Sequence, residues 1–170
     1  IQIQGPSSLS IMKSASNGQI NENMRYFHAG FFTLAGQQVY VSRTGFTGER
    51  GYEIYDSGIA TDHLSLWDHL ISAGEPHGME FSSTRSMTIR RIEAGILGNM
   101  TDMDITMTPF EAGLGQFIEM DKDDFVGRDA LVAADRRTLL YGITCQQAIP
   151  GRDSQVLDGD RHVATLTAGV

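Results

Sequence analysis

Glu53 is the residue whose surroundings mark it for chemistry. It is the one carboxylate in the apolar-aromatic run Gly51-Tyr52-Glu53-Ile54-Tyr55. If Tyr52 and Ile54 face a core, the period of two in a strand puts Glu53 on the opposite face with Gly51 and Tyr55. A carboxylate so placed is either solvated on an outer face or lines a cleft between sheets. In a cleft, its two coplanar acceptor oxygens suit a pair of adjacent N–H donors, such as those on the edge of a pterin or guanine-like ring. Cations for an anionic ligand are gathered in one run, where Arg85, Arg90 and Arg91 make up three of the chain's 13 Lys and Arg. Their alternative is a solvated helix face with ordinary ion pairs, which is the preferred reading of Arg90.

Other patterns carry less chemistry. The loop Gly45-x-x-Gly48-x-x-Gly51 has the glycine spacing of a phosphate cradle. It is followed by a strand rather than a helix and has no neighbouring lysine, so it reads as a hairpin connection. Asp102 and Asp104 in the methionine-rich stretch 98–108 lack further spaced ligands, and no metal is expected. Cys145, the single cysteine, is expected as a small buried hydrophobe, and no internal disulfide is possible. Trp67 is expected in the core.

The elements that must position these residues follow from periodicity. Ile1-Gln2-Ile3-Gln4 alternates as a half-buried strand, broken by Gly5-Pro6. Ser7 or Ser8 opens a helix with Leu9 and Met12 inward, closed by Asn17-Gly18. Residues 26–34 and 38–43 form a hairpin about Ala35-Gly36, and 51–55 add a strand. A helix over 61–73 places Leu64, Trp67, Leu70 and Ile71 on one stripe, and a second spans 82–94. Beyond it, strands are expected at 110–120 and 138–145 with a helix at 127–135 between them. After Pro150-Gly151, residues 155–157 and 161–168 read as strands of a separate β module. The order β-α-β-β-β-α-α predicts an α+β fold, an antiparallel sheet with helices on one face. Both ends of the sequence fall inside strand-like runs, as a fragment's would.

Composition bounds the function. The formal charge is −8 and 41% of residues are hydrophobic. An acidic chain of this kind is not a non-specific nucleic-acid or anionic-membrane binder. No run reaches the ~20 apolar residues of a membrane span. A lone cysteine fits a reducing compartment, and the expected location is cytoplasmic, or the mitochondrial matrix in a eukaryote.

The run Ser42-Arg43-Thr44-Gly45-Phe46-Thr47-Gly48-Glu49-Arg50-Gly51-Tyr52-Glu53-Ile54 resembles the R-T-G-[YF]-T-G-E-x-G-[YF]-E-[IL] motif of the glycine-cleavage T-protein (aminomethyltransferase) family. Ile3-Gln4-Gly5-Pro6, Arg91-Ile92-Glu93-Ala94-Gly95, Thr108 to Gly115 and Asp124 to Leu131 resemble further family segments in the same order. The resemblance spans essentially the whole chain. It implies a folate-binding aminomethyltransferase-like fold over 1–136 and the start of a C-terminal β-barrel over 137–170. It implies tetrahydrofolate as the cofactor, with a one-carbon unit passing to N5. The donor would be a small methyl or aminomethyl compound, with a lipoyl carrier protein as a further partner. Carried over by motif, Glu53 holds the pterin, with Tyr52, Phe46 or Tyr55 packing on the ring face; Arg91 matches a motif arginine, and Arg85 serves as the other basic contact with a two-residue shift. The family's catalytic Asp precedes its L-Q-G-P segment, outside this chain, so the catalytic residues stay unnamed. The form Arg90-Arg91-Ile92-Glu93-Ala94-Gly95 also resembles tetrahydrofolate-dependent demethylases. The alternatives are a non-catalytic folate-binding module and the folate domain of a larger dimethylglycine or sarcosine dehydrogenase. Iron-sulfur repair relatives carry K-G-C-Y-x-G-Q-E where this chain reads Asp124 to Asp129, which favours the transferase.

Overall fold

The computed structural model describes residues 1–56 and 58–170. The chain divides into two compact units, Ile1–Ile96 and Leu97–Val170.

The first unit holds a four-stranded antiparallel sheet of β1 (Gln2–Gln4), β2 (Ala29–Leu34), β3 (Gln37–Ser42) and β4 (Gly51–Tyr55), in spatial order β1-β4-β3-β2. Its helices are α1 (Ser8–Ala15), α2 (His63–Gly74) and α3 (Thr84–Glu93). The element order is the one that the periodicities predict. The β2–β3 hairpin turns on Ala35 and Gly36, at φ 51° and 72°. Two residues at positive φ form the two-residue turn whose twist matches that of the flanking strands. Residues 26–28 do not extend β2: Phe27 takes φ 62°, and its N–H and that of Arg43 close the loop onto Arg43 O and His28 O.

In α1 the buried positions are Ser8, Ile11, Met12 and Ala15, spaced as one helical stripe. Leu9 packs at its margin. The helix ends as expected, with Asn17 at φ 50° and Gly18 N–H returning to Lys13 O at 2.8 Å. Helix α2 starts at Asp62, whose carboxylate accepts Ser65 N–H at 3.0 Å.

The stripe of α2 differs from the expected one. Leu66, Leu70 and Gly74 are buried, whereas Leu64 is 70% exposed. Trp67 is 37% exposed, edge-on to Phe81 with ring centroids 5.7 Å apart, and is not a core residue. The choice is made by α1, against which α2 packs. Stripes centred on 64–67–71 and on 66–70–74 are comparably apolar, and only the partner selects between them. The core joins Ile3, Tyr52, Ile54, Val41 and Val39 of the sheet to Met12, Leu66 and Leu70 of the helices.

In the second unit, the strand expected at 110–120 is a series of turns with a short 3₁₀ segment at Gly115–Phe117. Thr108 N–H donates to the Glu111 carboxylate at 2.6 Å, and Glu111 N–H donates to Thr108 Oγ1 at 3.2 Å. This reciprocal Thr-x-x-Glu box starts a helical turn, and Gly113 at φ 73° then reverses it. Residues 138–145 are likewise not a strand. Leu140 N–H reaches Glu111 O at 2.7 Å, but no ladder forms among the described residues. Cys145 is exposed rather than buried. The N–H groups of Gln147 and Ala148 bond to its sulfur and hold the thiol below its ordinary pKa. Helix α4 (Arg128–Ala133) and the antiparallel pair β5 (Gln155–Asp158) and β6 (Arg161–Thr165) complete the unit, with a bulge at Val156/Leu157. No helix is long and apolar enough to cross a membrane among the described residues.

Candidate functional site

Strand register builds the site. Gln2 stands opposite Glu53, and Gln4 opposite Gly51, across the β1–β4 ladder; Ser42 of β3 stands opposite Glu53 on its other side. Cross-strand partners share a face. Tyr52 and Ile54 are buried in the core, so Gln2, Gln4, Ser42 and Glu53 occupy the other face of the sheet.

There, half-buried Glu53 is held at both oxygens. Its Oε1 accepts from Gln2 Nε2 at 2.9 Å, and its Oε2 accepts from the Thr44 hydroxyl. Because the Thr44 proton is committed to the carboxylate, the 2.6 Å contact between Ser42 Oγ and Thr44 Oγ1 has Ser42 as donor. One turn of loop away, the Thr47 hydroxyl donates to Gln4 Oε1 at 2.9 Å. Each carboxylate oxygen offers two acceptor positions, so both oxygens of Glu53 retain capacity for a ligand N–H. The same face carries exposed rings. Phe31, Tyr40 and Tyr55 run across the three neighbouring strands, with centroids 5.1 Å and 6.3 Å apart in turn. A fixed carboxylate bordered by aromatic surface can bind a flat ring that has N–H groups on one edge.

A cavity of about 750 Å³ lies along β1. Trp67, Ile71, Met79, Phe81 and Met87 give it apolar walls; Gln2, Gln4, Thr47 and Arg90 give it polar ones. Glu53 is beside this cavity, sharing Gln2 with it, and does not line it.

The predicted residues do not all converge. Tyr52 is 1% exposed on the core face, so its side chain has no access to a ligand that Glu53 holds. Burial also raises the pKa of its hydroxyl above the ordinary tyrosine value. Arg85 is exposed on the first turn of α3, which presents Thr84, Ser86, Met87 and Arg90 to the cavity instead. Arg91 is 4% exposed, donates from Nη1 to Ile96 O at 3.2 Å, and sets its guanidinium 5.9 Å from the Phe46 ring centroid. Arg90 makes the ion pairs expected of it, with Glu49 and Glu93 at 2.9 Å each, and the first ties the glycine loop to α3.

Gln2, Gln4, Ser42, Thr44 and Thr47 were not singled out by sequence reasoning. The signal available for the two glutamines is their alternation in Ile-Gln-Ile-Gln, which puts both on the face of Glu53. Among the described residues, no group of three or more His, Cys, Asp or Glu could hold a metal ion.

The family model described as the GCVT N-terminal domain matches residues 1–122. An aminomethyltransferase of Alkaliphilus oremlandii is 31% identical over 175 residues, covering 99% of this chain and 46% of that protein. Aminomethyltransferases of Caldanaerobacter subterraneus and Lysinibacillus sphaericus are 31% and 30% identical, with 99% of this chain covered in each case. They are matched over 46% and 47% of their own lengths. The chain thus spans about half the length of these curated relatives. The solved glycine cleavage system aminomethyltransferase T from Bartonella henselae superposes with a TM-score of 0.76 at 19% identity, over 98% of this chain and 46% of that one. That likeness establishes the fold.

Proposed function

This chain belongs to the GCVT N-terminal domain family, and we propose that it forms the folate-binding part of a tetrahydrofolate-dependent one-carbon transferase. One observation carries the reading. Within the motif 43–54, the Glu53 carboxylate is fixed at both oxygens on a sheet face lined with aromatic rings. These residues fit a reduced folate. Glu53 offers acceptors to the N–H edge of the pterin, and Tyr55 and Tyr40 offer surface to its ring system. Arg85, exposed on α3, is the candidate for the anionic tail; Arg91, buried beside Phe46, braces the loop. The folate-binding domain in this reading runs to about residue 136, and the family match to residue 122 supports an end beyond the first unit.

When bound, tetrahydrofolate supplies the N5 that accepts the one-carbon unit. The contribution of this chain is to orient the pterin plane. Fixing two reacting groups in one geometry can supply roughly 7–11 kcal/mol of a barrier. The donor is a small methyl or aminomethyl compound, or an aminomethyl group on a lipoyl carrier protein.

Calorimetric titration with 5-formyltetrahydrofolate, an oxidation-resistant reduced folate, tests the reading. Glu53→Gln keeps the shape and removes the charge. A charge-assisted hydrogen bond contributes about 1.5–3 kcal/mol, so binding should weaken about 10- to 100-fold. An unchanged dissociation constant removes Glu53 from the site.

A further inference from the structure

Gln4 is held by close approach as well as by hydrogen bonds. A Cβ at Gly45 would stand 2.1 Å from Gln4 Oε1, and one at Gly51 would stand 2.2 Å from its Nε2. Neither glycine has positive φ. Backbone freedom is therefore not the reason for either glycine; the Gln4 amide occupies the space where their side chains would lie. Gly48 differs in sitting at φ 77°, and it is constrained twice, since a Cβ there would also stand 2.5 Å from Ala94 Cβ. The amide is also bonded to the loop it enters. Thr47 Oγ1 donates to Gln4 Oε1 at 2.9 Å, and Gln4 Nε2 donates to Thr44 O over a longer 3.4 Å. Thr44, whose carbonyl Gln4 engages, turns its hydroxyl onto Glu53 Oε2.

We infer that Gln4 is a positioning residue for ligand binding: its side chain pins the loop 44–47 against β1, so that Thr44 holds one oxygen of Glu53 in a fixed direction. The inference rests on Glu53 as the folate ligand. Gln4 makes no hydrogen bond to Glu53 itself, so its whole effect passes through Thr44.

A double-mutant cycle on binding of 5-formyltetrahydrofolate tests this. Gln4→Met keeps the length of the side chain and removes both polar atoms. It should weaken binding about 5-fold, the scale of one lost hydrogen bond. In the Glu53→Gln background the same substitution should change the dissociation constant less than 2-fold, roughly within the additivity error of such cycles. A general structural role predicts instead that the two effects multiply, and that result overturns the inference while leaving Glu53 in the site. If Glu53→Gln alone leaves affinity unchanged, the folate reading falls and this inference falls with it. Gln4→Glu is the second variant. It keeps the shape and the bond from Thr47 but has no proton to give Thr44 O, so it should weaken binding as Gln4→Met does. Wild-type affinity in a folded Gln4→Glu protein overturns the inference whether or not Gln4→Met folds.

Discussion

Replacing Gly51 by alanine places a methyl group where the Gln4 amide already lies. The new Cβ would be 2.2 Å from both Nε2 and Oε1 of Gln4 and 2.3 Å from its Cδ. Carbon atoms in contact sit near 3.5–4.0 Å, so β1 and β4 must part or Gln4 must leave its cradle. Overpacking of this kind destabilises by about 1–3 kcal/mol. Alanine is about 0.5–1 kcal/mol better than glycine in a strand, so the net loss for Gly51→Ala is about 0–2.5 kcal/mol, and it falls toward the lower end if the flexible Gln4 amide swings aside. With a urea m-value near 2 kcal/mol/M, the unfolding midpoint should fall by up to about 1.2 M. Trp67, the single tryptophan, lies in the same unit and reports the transition by fluorescence. Gln4→Ala alone should cost about 1 kcal/mol through loss of the Thr47 bond. In Gln4→Ala/Gly51→Ala the clash is gone, so the pair should be no less stable than Gln4→Ala. If the double variant loses the sum of the two single effects, the close approach of Gln4 is not why residue 51 is glycine.

Leu66→Ala should destabilise the first unit by about 2–5 kcal/mol, whereas Leu64→Ala should stay within about 0.5 kcal/mol; equal effects in urea melts would place the α2 stripe wrongly. Tyr52→Phe should leave the affinity for 5-formyltetrahydrofolate unchanged, and a weakened titration would put the hydroxyl in the site. The pKa of Tyr52 is raised in the fold by burial. Its neutral form is therefore favoured when folded, and its share of stability is complete below about 10 and lost as pH rises through the folded value. Tyr52→Phe should flatten that alkaline limb in a series of melts. Glu111 is shifted the other way, lowered by the hydrogen bonds from Thr108. The 108–111 turn is thus supported above the ordinary glutamate value and loses that support as pH falls through the lower, folded one. The Thr108 amide should exchange faster with solvent below that point; exchange that does not change with pH beyond the intrinsic rate would refute the box.

Local periodicity determined much of this protein in advance. The order of strands and helices in the first unit, the Ala35-Gly36 turn and the face on which Glu53 lies all follow from repeats of two or of 3.6 residues, which neighbours in the chain impose on one another. The glycine spacing 45–48–51 was visible too, but its meaning was not. Gly48 answers to backbone conformation and to the close approach of Ala94. Gly45 and Gly51 answer to an amide on β1, more than 40 positions back along the chain, and no local rule relates them. Tertiary packing likewise chose Leu66 over Leu64, because α1 is what α2 buries itself against. At 110–120, where apolar residues suggest a strand, no partner strand pairs with the segment among the described residues, and the Thr108–Glu111 box closed it into turns. A strand depends on a distant segment for its hydrogen bonds, whereas a turn supplies its own, and that difference was settled only in three dimensions.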